Sequence, residues 1–118
     1  MEAMSVSISD GPAIVAGYEY RLQLEADSPV FPAGCELTAH VRAKVSDSAL
    51  IATLTTANGG LTRISDTVVE IAIPSAATAN LSPGSVVMDM VRTDLEPDRH
   101  LRFTLEIPVV RPVTRDLL

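Results

Sequence analysis

The stretch EIAIPSAATANLSPGSVVMDM, residues 70–90, decides the fold. Apolar residues alternate at both of its ends, Ile71 and Ile73 continuing from Val69, and then Val86, Met88 and Met90. Small, polar and turn-forming residues lie between. Pro74 has no amide hydrogen for a sheet ladder, so strand pairing stops there. Ala76, Ala77 and Ala79 favour helix, and Ser75 is a capping residue type. The spacing therefore predicts one short helix inside 75–81, capped by Ser75, with Leu81 plugging the end of a core. Ser82, Pro83 and Gly84 then stop it. A strand, a helical turn and a strand is a way to pass from one sheet of a sandwich to the other. In immunoglobulin domains that crossing carries a tyrosine corner. No Tyr lies in 70–90, so the expectation is an immunoglobulin-like sandwich rather than an orthodox immunoglobulin domain.

Outward from this stretch the period is two. Tyr18, Tyr20, Leu22 and Leu24 share one face, and Glu19, Arg21, Gln23 and Glu25 the other. Cys35, Leu37, Ala39, Val41, Ala43 and Val45 oppose Glu36, Thr38, His40, Arg42 and Lys44. Leu101, Phe103, Leu105 and Ile107 oppose Arg102, Thr104 and Glu106. One buried and one wet face per strand is the pattern of antiparallel sheet. Turn signals fall between the runs: residues 27–34 with two prolines and a glycine, 45–48, Asn58-Gly59, 65–66, and 94–100 between the last two strands. Eight strands are predicted, at 4–9, 17–25, 35–45, 49–56, 61–64, 67–73, 85–92 and 101–109. The fold class is all-β, an antiparallel two-sheet sandwich. Leu22, Leu37, Val41, Leu54, Ile71, Met88, Phe103 and Leu105 are its expected core.

At 118 residues the chain reads as one domain, 1–118, with 111–118 as an extended tail. Only 3% of residues are aromatic, so the core is aliphatic, and a stacking platform for sugars or bases has almost nothing to be built from. Nine Lys and Arg against fifteen Asp and Glu give −6, with the basic residues spread singly. Nucleic-acid binding calls for a basic stripe and is not expected. The first ten residues lack the basic and apolar regions of a secretory signal, and no apolar run reaches the ~20 residues of a membrane span. Cys35 is the only cysteine, which suits a reducing compartment.

The pattern resembles small β-sandwich structural proteins of tailed bacteriophages and prophages. It is similar to the amino-terminal domain of upper-baseplate proteins. Ile73, Pro74, Ser75, Thr78, Leu81, Pro83, Gly84 and Asp89 match the strand-and-turn motif, and Val110, Pro112, Val113, Thr114 and Arg115 match the closing segment. The sequence departs from the family where Val87 and Met88 replace aromatics and where Glu96-Pro97-Asp98 replaces a glycine hairpin. The resemblance implies a non-enzymatic virion component, assembled in the host bacterial cytoplasm. It implies partners among other virion proteins, a homo-oligomer or ring, and neither nucleic acid nor membrane contact. Tail or baseplate is the leading position, and capsid decoration the alternative. A ligand-binding sandwich is the alternative of another class.

The reactive residues read as structural. Cys35 opens an apolar face, and His40, five residues on, falls on the opposite face, so the two form no nucleophile–base pair. His100 sits at a hairpin edge. One Cys and two scattered His make no zinc cluster. Asp94, Glu96 and Asp98 have the spacing that opens a calcium loop, but position 6 would be Arg99 in place of glycine. No cofactor, metal or catalytic set is expected. Two candidate partner contacts remain. Val87, Asp89 and Val91 set a carboxylate between apolar neighbours on one strand face. Val109, Val110, Val113, Leu117 and Leu118 make a tail more apolar than fraying needs, and Arg111 and Arg115 join them as candidate contacts. The expectation is that the chain from Arg111 onward contacts a partner subunit.

Overall fold

The computed structural model describes the backbone of residues 4–8 and residues 13–114 in full. Two sheets pack together around an aliphatic core. The first contains β1 (Met4–Ile8), β3 (Tyr20–Ala26), β7 (Val68–Ile73) and β6 (Leu61–Arg63), in the order β1-β3-β7-β6. The second runs β2 (Ile14–Val15), β10 (Leu105–Val110), β8 (Gly84–Arg92), β4 (Leu37–Arg42) and β5 (Ala52–Thr55), with β9 (Arg99–His100) also paired to β8. Among the described residues every ladder is antiparallel except β2 with β10, which is parallel through Val109 opposite Ile14 and Val110 opposite Val15. The expected all-antiparallel sandwich is corrected by that one edge pair.

The period-two reading holds through the strand centres. Tyr20, Leu22, Leu24, Leu37, Ala39, Val41, Val69, Ile71, Ile73, Val86, Met88 and Met90 are buried. It fails at strand ends, each time for a local reason. Tyr18 is exposed because Gly17, at φ 93°, and the Tyr18 N–H to Val15 carbonyl bond turn the chain before β3 begins. The residues ahead of that turn form β2 and cross to the other sheet. The strand predicted at 35–45 ends at Arg42, whose guanidinium donates to the Asp47 and Ser48 carbonyls at 3.1 and 2.8 Å and wraps the following loop over itself. Ala43 and Val45 are thereby left exposed.

The strand predicted at 101–109 is two pieces along β8. His100 lies opposite Val91 and Leu105 opposite Met88, so five steps on one side match three on the other. The extra residues form a bulge in which Arg102 takes φ 65°. Phe103 and Leu105 are consequently half-buried, packed against the core rather than inside it. Phe31, in the loop before β4, is fully buried instead. Its backbone is fixed by an N–H bond to the Asp66 carbonyl at 2.9 Å and by Arg63 Nε on its own carbonyl at 2.7 Å.

The crossing from β7 to β8 contains a single helical turn, α1 (Ser75–Thr78), shorter than the 75–81 window. Pro74 occupies the N-cap in an extended conformation, and no side chain caps the turn, so the expected role of Ser75 is corrected. The turn is held from its other end. Thr78 is fully buried, its Oγ1 donates to the Tyr18 carbonyl at 2.8 Å, and it accepts the Gly17 N–H at 3.1 Å. Leu81 is partly buried against the core, as its spacing predicts.

Candidate interaction surface

The outward face of the larger sheet carries Val87, Asp89 and Val91 on β8. Register sets Thr38, His40 and Arg42 of β4 beside Val91, Asp89 and Val87 respectively. On the other flank His100 of β9 lies opposite Val91, and Glu106 of β10 opposite Val87. Val87, Asp89 and Val91 are all half-buried by these neighbours. His40, Arg42, Val45, Val87, Asp89 and Thr104 line a shallow depression on this face. Alternation therefore brings together the three β8 residues that the sequence marks. It does not reveal that both histidines flank the same carboxylate, because His100 reaches it only through the β8–β9 pairing.

The polar contacts are specific. His100 Nε2 lies 2.8 Å from Asp89 Oδ2, and the Arg102 N–H donates to His100 Nδ1 at 2.7 Å. Since Nδ1 accepts, Nε2 carries the proton and donates to Asp89. Both imidazole nitrogens are thus occupied, and this His–Asp pair has no nitrogen turned to a substrate. Arg42 also donates to His40 Nδ1 at 3.4 Å, tying the depression to the loop that the same guanidinium wraps.

A second ionic site locks the far end of the sheet. Arg92 Nε and Nη2 grip Asp94 at 3.1 and 2.6 Å, and the Glu36 N–H adds a third bond at 3.2 Å. The Arg92 hydrogen bonds hold the Asp94 carboxyl at about 2, well below the ordinary carboxylate range. Asp94 thus serves to tie β8 to the start of β4. Burial pushes the Cys35 thiol up, which favours the protonated, unreactive form.

The closing segment divides in two. Val109 is buried in the core, paired with Ile14 and Gly84, so its candidacy as a partner contact is corrected: its side chain belongs to the sandwich. Val110 and Arg111 are exposed, and Val113 is 93% exposed. Pro112 and Thr114 border an open groove with Val15, Tyr18 and Tyr20. Arg115, Leu117 and Leu118 lie outside the described residues. No group of three His, Cys, Asp or Glu side chains among the described residues is arranged to hold a metal ion. No helix among them is long and apolar enough to cross a membrane. The chain matches no protein-family model and no curated protein.

Proposed function

We propose that this chain is a non-enzymatic binding module of a tailed-phage particle, seated at the tail or baseplate and working through its surface. The observation that carries the binding role is the outward face of β8, where Val87 and Val91 flank an Asp89 already engaged by His100. Apolar neighbours around a satisfied carboxylate suit a protein contact better than proton transfer. The virion assignment rests on the sequence resemblance around residues 73–89 and 110–115. The strand order supports an immunoglobulin-like arrangement. Lettering β1 as A, β2 as A′, β3 as B, β4 as C, β5 as C′, β6 as D, β7 as E, β8 as F and β10 as G turns the sheets into A-B-E-D and A′-G-F-C-C′. In this fold Thr78 does for the E–F crossing what a tyrosine corner does elsewhere: it ties the crossing to backbone upstream.

Mass spectrometry of separated heads and tails tests the assignment. Recovery with tails supports it, recovery with heads replaces it by capsid decoration, and absence from both overturns the virion reading. Particles assembled with Val87→Glu or Val91→Glu test the surface. Both variants are expected to fold and to be depleted from particles, and incorporation equal to wild type removes this face from the contact. Deletion of 111–118 tests the tail in the same way.

A further inference from the structure

β5 closes one end of the larger sheet, so Ala52–Thr55 has β4 on one side and, among the described residues, no strand on the other. Even-numbered residues bond to β4: Leu54 lies opposite Ala39, and the Thr56 N–H donates to the Leu37 carbonyl at 3.1 Å. Thr53 and Thr55 therefore turn their backbone groups outward. Two of those groups meet one side chain. The Thr55 N–H donates to Asn58 Oδ1 at 2.9 Å, and Asn58 Nδ2 donates to the Thr53 carbonyl at 2.9 Å. A neighbouring strand would bring a donor and an acceptor to the same two groups. The carboxamide is itself braced, because Oδ1 also accepts the Gly60 N–H and the Asn58 N–H donates to Thr55 Oγ1, both at 2.9 Å.

An unpaired edge is a template for another chain, and proteins blunt such edges with charge, proline or bulges. The β5 sequence, Ala-Thr-Leu-Thr, contains neither charge nor proline, and its threonines favour extended structure. The edge strand β6, by contrast, carries Arg63. We propose that the β5 edge is a pairing site for β5 of a second copy of this chain, and that Asn58 is the gate that keeps it closed. A second copy is the occupant that fits. Antiparallel pairing of β5 with itself about Leu54 sets Thr53 against the second copy's Thr55 and opposes no like charges. The proposal stands apart from the virion reading, since it uses only the edge geometry.

The test compares wild type with Asn58→Asp and Asn58→Ala. Asn58 lies outside the left-handed region of backbone space, so neither residue strains the turn. Asp keeps an acceptor for the Thr55 and Gly60 amides but turns a second oxygen toward the Thr53 carbonyl, and Ala removes both contacts. Sedimentation equilibrium should show self-association about tenfold tighter in both variants than in wild type. Amide exchange followed by NMR should show the Thr53 N–H becoming protected as variant concentration rises. Folded variants that associate no more than wild type overturn the proposal. So does association that leaves Thr53 exchange unchanged. Loss of fold in both variants would make Asn58 a folding residue instead of a gate, and equally overturns it.

Discussion

Replacing Thr78 with Val keeps the side-chain shape and deletes the hydroxyl that joins α1 to the β2–β3 corner. Thr78 is fully buried, and the two bonds of its hydroxyl run to the backbone of Gly17 and Tyr18, which are themselves exposed. The Tyr18 carbonyl loses its 2.8 Å donor. The Gly17 N–H loses a 3.1 Å acceptor and keeps a longer bond to the Thr78 carbonyl at 3.3 Å. Two part-buried hydrogen bonds at about 1 kcal/mol each make the loss about 2 kcal/mol. For a domain of this size that corresponds to a Tm lower by about 10 °C. Thr78→Ser keeps the hydroxyl and loses one buried methyl, a cost of about 1 kcal/mol. Thermal unfolding followed by circular dichroism ranks the three proteins, and amide exchange at Gly17 reports the corner itself. The expected order is wild type, Ser, then Val, with faster Gly17 exchange in Val alone. If Val melts with wild type while Ser melts lower, methyl packing rather than hydrogen bonding holds the crossing.

Further predictions concern the core, the tight turn and the acid limb. Leu37→Ala should cost about 2–5 kcal/mol in urea unfolding, and Phe103→Ala clearly less, because Leu37 is enclosed and Phe103 packs only from the rim. Gly60→Ala should cost about 1–3 kcal/mol by the same measurement, since its new Cβ would sit 2.8 Å from Leu54 Cβ inside the core. Asp94 has its folded pKa lowered to about 2 from 3.8. The stability it contributes is therefore fully present above its unfolded value and is lost as pH falls through the window from about 4 to about 2. Tm measured against pH should show that acid limb in wild type and a shallower one in Asp94→Asn. Identical limbs in the two proteins would remove Asp94 from the β4–β8 tie.

Periodicity and punctuation are local, and they were enough for the sequence to determine strand centres, faces, the aliphatic core and a helical turn after Pro74. Leu22, Leu37, Val41, Leu54, Ile71 and Met88 are buried because each sits on a face where every second residue is apolar. Val87, Asp89 and Val91 were legible as one face for the same reason. What escaped the sequence depends on partners far along the chain. Ile14-Val15 is too short to show a period, and only pairing with Val109 and Val110 makes it a strand and draws Val109 into the core. Phe31 has no alternating neighbours, and it is enclosed because Asp66 and Arg63 capture its backbone. The end of β4 was set by Arg42 folding back on Asp47 and Ser48, and the bulge before β10 by two residues in excess of what β8 can match. Thr78 reads as one more small residue in an alanine-rich turn until Tyr18, sixty residues away, is brought to its hydroxyl. Asn58-Gly59 announces a turn, but the carboxamide becomes an edge guard only once β4 has taken the other side of β5. The physical division is between apolar repeats, which act at any point of the chain, and directed hydrogen bonds, which exist only after the sheets have brought their two ends together.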